Sequence, residues 1–145
     1  MDSLCEKATE LWAPDNKTGS FGFGSVWDVT AFDKIPDGIE SKFAGPLMCA
    51  GATVWGAMQR GNIKCHHRVG VLGISGLGHL ALQFLAKAGC DVVAISSSER
   101  KRQEALDFGA TGYVTLKDVE DFEKKKFKKL SHLMICSGSQ PDFSK

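Results

Sequence analysis

The stretch Arg68-Val69-Gly70-Val71-Leu72-Gly73-Ile74-Ser75-Gly76-Leu77-Gly78 decides how the chain is read. Arg68 to Gly73 is a short apolar run, the pattern of a buried strand. After it, Leu80, Ala81, Phe84, Leu85 and Ala88 recur at the spacing of an amphipathic helix over His79 to Ala88, and Gly89 ends that helix. The turn between them follows G-x-G-x-x-G with Ser75 in the middle position and Gly76 beside it. Gly73 permits a tight turn off the strand, and Gly78 permits close packing of helix on sheet. The helix N-terminus then offers free N–H groups and positive dipole to a pyrophosphate. Ser is the smallest substitute for the middle glycine, yet it adds a side chain where backbone and phosphate approach. A turn of this kind also serves as a plain structural connection. Its place after a buried strand, at the head of an amphipathic helix, favours nucleotide binding at Gly73, Ser75, Gly76, Leu77 and Gly78.

Working outward, Asp91-Val92-Val93-Ala94-Ile95 reads as a second buried strand, and Glu99 to Phe108 as a charged helix ending at Gly109. Tyr113-Val114 is a short third strand, and His132-Leu133-Met134-Ile135-Cys136 a fourth. Strand, helix, strand, helix, strand with short links means a parallel sheet with right-handed crossovers. Upstream, small and apolar residues from Phe43 to Met58 predict a buried helix, with Gly45-Pro46 placing a kink or an early start within it. Gly24 to Phe32 alternates in a way that predicts a short strand, and Ile35-Pro36-Asp37-Gly38 is a turn.

The end of the second strand selects the nucleotide. NAD-binding sheets carry an acidic residue there, which holds the ribose hydroxyls. Here the stretch is Ser96-Ser97-Ser98-Glu99-Arg100-Lys101-Arg102. Hydroxyls and cations together can hold a 2′-phosphate, because Arg and Lys make charge-assisted bonds to it. We therefore expect NADP(H) rather than NAD(H), bound by Ser96, Ser97, Ser98, Arg100 and Lys101. Glu99 is the awkward residue. The plainer reading has Ser96 and Glu99 forming a capping box, with Arg100 to Arg102 a solvated face; the two can coexist. A methyltransferase on a similar sheet would want an acid at this strand end, which Ser96-Ser97 does not offer.

Composition narrows the partners. The chain has 145 residues, enough for one domain or one domain with part of a second. A net charge of +1 gives no reason to expect nucleic acid or an anionic membrane, and no apolar run has the length of a membrane helix. The start, Met1 to Lys7, lacks the apolar core of a signal peptide, so a cytoplasmic, reducing setting is expected. Five widely spaced cysteines, with no C-x-x-C, are neither a disulfide framework nor a complete zinc knuckle. Cys65, Cys90 and Cys136 read as inert core thiols. His66-His67 reads as a surface pair pointing two ways, His79 as packing or capping near the glycine turn, and His132 has no argued role.

Two segments resemble a known family. Pro46-Leu47-Met48-Cys49-Ala50-Gly51-Ala52-Thr53-Val54-Trp55 and Val69 to Ala81 are similar to the P-L-x-C-A-G-x-T-V and V-G-V-x-G-I-G-G-L-G-H-x-A segments of medium-chain zinc alcohol dehydrogenases of the cinnamyl alcohol dehydrogenase type. Ser96-Ser97-Ser98, Arg100-Lys101 and Leu106-x-x-Gly109-Ala110 continue the match. The resemblance implies an α/β fold, a Rossmann-type parallel sheet that is incomplete here. Residues 41–145 would be its NADP-binding domain up to the fourth strand, and residues 1–40 a remnant of a β-rich, GroES-like catalytic domain. It implies interconversion of small alcohols and aldehydes by hydride transfer with NADP(H) and a catalytic zinc, in a homodimeric parent enzyme. Carried onto this sequence, Cys49 is a ligand of the catalytic zinc, Thr53 lies near the nicotinamide, and Cys5 is the last of four cysteines around a structural zinc.

A catalytic zinc of this type takes three protein ligands. The family supplies the other two, a cysteine and the histidine of a G-H-E motif, from a segment that does not match here. The chain is therefore expected to be partial at both ends and inactive alone. An alternative is a nucleotide-binding module that kept the sheet and lost the chemistry. A zinc-free quinone reductase is disfavoured by Cys49 in its P-L-x-C-A-G setting.

Overall fold

Apolar side chains alternate across every strand, and a computed structural model shows what covers each side. It describes residues 23–24, 26, 28–119 and 128–138. The chain divides into two compact units, Met1–Asp37 and Gly38–Lys145. In the second unit, β1 (Arg68–Leu72), β2 (Asp91–Ser96), β3 (Gly112–Thr115) and β4 (His132–Ile135) form one parallel sheet in the order β3-β2-β1-β4. The register pairs Val69 with Val92 and with His132, and Ser96 with Thr115. All four carboxyl ends therefore emerge together, with β4 at one edge.

One sheet face is built from Val69, Val71, Val92 and Ala94 against Ala81, Leu82 and Leu85 of α3 (Gly76–Lys87). Leu82 and Leu85 are fully buried, each contributing about 2 kcal/mol of apolar transfer. The opposite face carries Leu72, Val93, Ile95 and Val114, with Leu130 packed against them.

Upstream, α1 (Ser41–Pro46), a π-helical turn over Leu47–Gly51 and α2 (Ala52–Arg60) run in succession where one kinked helix was expected. Pro46 has no N–H to donate, and the wider turn begins directly after it. α2 buries Val54 and Met58 in the main core. The charged segment after β2 opens as a 3₁₀ turn, Glu99–Lys101, and continues as α4 (Arg102–Asp107). A short α5 (Leu116–Val119) follows β3.

Two expectations are corrected. No strand occurs over Gly24 to Phe32 among the described residues; Val29–Ala31 is a 3₁₀ turn. The Asp28 carboxylate accepts from the Thr30 N–H at 2.9 Å and from its hydroxyl at 2.7 Å, a local arrangement that competes with a ladder. His66 and His67 do not point apart. Their rings meet edge to face at 4.3 Å, and His67, half-buried, lies 4.6 Å from His132. Its Nδ1 accepts from the Lys64 N–H at 3.0 Å. Burial, then the charges of His66, His132 and Lys64, push the His67 pKa below its usual value.

Candidate nucleotide site

The glycine turn sits at the carboxyl end of β1. Gly73 has φ +92°, a conformation that L side chains rarely adopt, and its N–H donates to the Ile95 carbonyl at 2.9 Å. A Cβ on Gly78 would stand 1.9 Å from the Gly73 carbonyl oxygen, so only glycine lets α3 come this close to the turn. Ser75 is the N-cap of α3: its hydroxyl accepts from the Gly78 N–H at 3.5 Å and donates to the Cys136 carbonyl at 2.7 Å. The middle-position serine thus ties the turn to the end of β4. A Cβ on Gly76 would meet nothing within 4 Å, and Leu77 is partly exposed, so the first turn of α3 is open. His79 belongs to the same turn, with Nδ1 3.3 Å from the Ser75 carbonyl.

Beside the turn is a hollow of about 300 Å³. Gly73 and Ile74 form one wall, Ser96, Ser97 and Ser98 the end of β2, and Arg100 and Lys101 a basic side; Leu116 and Ser137 complete it. Ser96 is nearly buried, whereas Ser97, Ser98 and Arg100 are exposed. Lys101 is half-buried, and its Nζ donates to the Ile74 carbonyl at 2.5 Å. Among the described residues no carboxylate lines this hollow. Ser96 is the last residue of β2 rather than a helix cap, and Ser98 holds the N-cap position without a side-chain cap bond, so the expected capping box does not form. Arg102 is not a freely solvated cation either: it grips Glu99 with two hydrogen bonds.

A second, wider hollow of about 790 Å³ lies against α3's first turn. Cys49, Thr53, Leu77 and His79 line it, with Phe43 and Leu47. Cys49 is exposed on the π-helical turn, and the Thr53 hydroxyl donates to its carbonyl at 2.8 Å. Among the described residues no three His, Cys, Asp or Glu side chains are grouped to hold a metal. Cys49 alone does not fit a three-ligand zinc site. Cys5 lies outside the described residues. Cys136 is buried, and burial pushes its thiol up, as an inert core cysteine requires. Cys90 behaves likewise, by burial and then the neighbouring Cys65, whereas Cys65 is exposed and not a core residue.

Sequence reading missed Ile74, Leu116 and Ser137 as lining residues, and Tyr113 as the support behind Ser98. The available signal was topological. In open parallel sheets ligands sit outside the carboxyl ends of the strands, which brings residues just past β3 and β4 to the same place.

The sheet order, the crossovers and the glycine turn define a Rossmann-type α/β fold. Residues 76–145 match the family model of zinc-binding dehydrogenases. The chain is 51% identical over 77 residues to an aldehyde reductase of Synechocystis sp., covering 53% of this chain and 23% of that protein. Among solved structures it is similar to a cinnamyl alcohol dehydrogenase of Sorghum bicolor, with TM-score 0.67 and 33% identity over 74% of this chain and 31% of that one. A cinnamyl alcohol dehydrogenase of Helicobacter pylori, solved with NADP(H), matches with TM-score 0.56 and 25% identity over 66% of this chain and 26% of that one. The chain spans about a quarter to a third of the length of the curated relatives it matches. No helix among the described residues is long and apolar enough to cross a membrane.

Proposed function

We propose that this chain is the nucleotide-binding part of an NADP(H)-dependent, zinc-dependent oxidoreductase that interconverts small alcohols and aldehydes in the cytoplasm. Residues 41–145 are read as the NADP-binding domain and residues 1–40 as a remnant of the catalytic domain of a homodimeric parent enzyme. The observation that carries the reading is the hollow at the end of β2. It offers three serine residues and two cations, with no carboxylate among the described residues of its walls, to whatever lies beside the glycine turn. A 2′-phosphate matches that chemistry, and a bare ribose diol does not.

Within this reading, the open first turn of α3 takes the pyrophosphate on the N–H groups of Gly76 and Leu77 and on its positive dipole, while Gly78, whose N–H donates to Ser75, keeps the helix close to the turn. Ser75 fixes the turn by its bond to Cys136. Ser96, Ser97, Ser98, Arg100 and Lys101 take the ribose phosphate. Thr53 and Cys49 face the wider hollow, where the nicotinamide would supply or accept hydride and Cys49 would contribute one zinc ligand, with Cys5 assigned to a structural zinc. For these 145 residues alone, we infer nucleotide binding without turnover, because the described residues offer one thiol where three ligands are needed.

Fluorescence titration with NADPH and NADH tests the reading. The chain is expected to bind NADPH saturably and more tightly. Replacing Arg100 and Lys101 by Ala should weaken NADPH by about tenfold or more, the loss of a charge-assisted contact, and leave NADH nearly unchanged. Equal losses for both nucleotides would remove the phosphate site from this hollow.

A further inference from the structure

Glu99 carries the wrong sign for a phosphate, yet it stands between Ser98 and Arg100, which both line the hollow. Its own side chain does not line it. Arg102 accounts for the difference. Its Nε donates to one oxygen of the Glu99 carboxylate and its Nη2 to the other, at 2.5 and 2.8 Å. A two-bond fork fixes the direction of the carboxylate as well as its distance, which a lysine ammonium cannot do.

The guanidinium is itself seated. Its central carbon lies 4.8 Å from the ring centroid of Tyr113, a nearly buried residue of β3. The Tyr113 hydroxyl donates to the Ser98 carbonyl at 2.5 Å. One aromatic ring therefore braces both the backbone that presents Ser98 and the cation that restrains the next residue.

We infer that Arg102 is a positioning residue for nucleotide preference: by clamping the Glu99 carboxylate beside Tyr113, it keeps the Ser96–Lys101 hollow cationic and favours a phosphorylated ribose over an unphosphorylated one. This rests on the reading of the hollow given under Proposed function. The sign follows from charge alone. A carboxylate turned toward the strand end repels a phosphate and is the group that binds ribose hydroxyls. Loss of the clamp thus moves the two nucleotides in opposite directions. Loss of a merely structural residue moves them together.

The test titrates the 145-residue chain with NADPH and NADH at low ionic strength, comparing wild type with Arg102→Ala, Arg102→Lys, Glu99→Gln and the double Arg102→Ala/Glu99→Gln. Arg102→Ala should weaken NADPH by about five- to tenfold, the size of a partly screened like-charge contact, with NADH unchanged or tighter. Arg102→Lys, which keeps the charge and loses the fork, should fall between. Added salt should narrow the difference. In the double variant NADPH affinity should return to within about twofold of wild type. Equal losses for both nucleotides in Arg102→Ala, or no rescue by Glu99→Gln, would overturn the inference. Should Arg102→Ala fail to fold, Glu99→Gln alone decides: a carboxylate already clamped gives less than about a twofold gain for NADPH, and a larger gain contradicts the clamp. A wild-type chain that binds both nucleotides alike removes the proposed function and this inference with it. A wild type that prefers NADPH, with the preference intact in Arg102→Ala, removes the inference alone.

Discussion

A single methyl separates the two glycines at the head of α3. On Gly78 it would overlap the Gly73 carbonyl oxygen at 1.9 Å, a backbone atom that no rotamer change can move, whereas on Gly76 it would meet nothing within 4 Å. Gly78→Ala is therefore expected to destabilise the chain by about 3 kcal/mol, at the upper end of overpacking costs, and Gly76→Ala to leave stability almost unchanged. Urea unfolding followed by circular dichroism separates them; similar midpoints for the two variants would contradict the packing. The roles of Gly73 and Gly78 were legible in sequence because glycine spacing reports backbone geometry directly. The role of Ser75 was not, because its partner is the carbonyl of Cys136, sixty-one residues away. Glu99 was legible only as an anomaly. Its clamp needs Arg102 and Tyr113, and Tyr113 arrives from a different strand.

At the scale of elements, the sheet is fastened at its amino ends as well as through its core. Asp91, first in β2, accepts from the Arg68 guanidinium at the start of β1 and from the Thr111 hydroxyl just before β3. The Thr111 bond, then Arg68, hold the Asp91 carboxyl below its usual value against the opposing effect of partial burial. A carboxyl whose folded pKa lies below the unfolded one, about 3.9, stabilises the fold above that pH and loses the contribution as pH falls through the folded value. Asp91→Asn should thus cost about 0.5–1 kcal/mol at pH 7, discounted for its exposure, and the gap from wild type should narrow as pH falls below about 4. A gap of constant size from pH 7 to pH 3, in thermal melts, would assign the effect to packing instead. Four strands and the helices after β1 and β2 were legible because their periodicity is set by burial, whereas the short α5 after β3 was not. Boundaries shifted where a cap or a proline intervened: α3 begins at Gly76 because Ser75 caps it, and Pro46 is followed by a π-helical turn. Gly24 to Phe32 misled because alternation alone does not supply a neighbouring strand, and Asp28 satisfies the local N–H instead.

For the molecule as a whole, the fold is established and residues 76–145 carry the match to zinc-binding dehydrogenases, while the chemistry divides between what these residues hold and what they do not. The nucleotide hollow is assembled from the ends of β1 and β2, the glycine turn, the segment before α4, the start of α5 and the residues after β4, all within the unit Gly38–Lys145. Zinc makes a different demand, since a catalytic ion takes three protein ligands at once and metal affinity collapses when the set is incomplete. Cys49 is exposed and no ligating group of three surrounds it among the described residues. The chain is therefore expected to bind zinc more weakly than about 1 µM in competition with a chromophoric chelator, and to give no alcohol-dependent NADPH formation while still binding NADPH. One equivalent of zinc retained through gel filtration, and lost in Cys49→Ala, would place a complete site within these 145 residues. The nucleotide hollow and the wider hollow beside Cys49 would then serve one active centre, because the first is lined by Gly73 and Ile74 of the glycine turn and the second by Gly76 and Leu77, which follow them in α3.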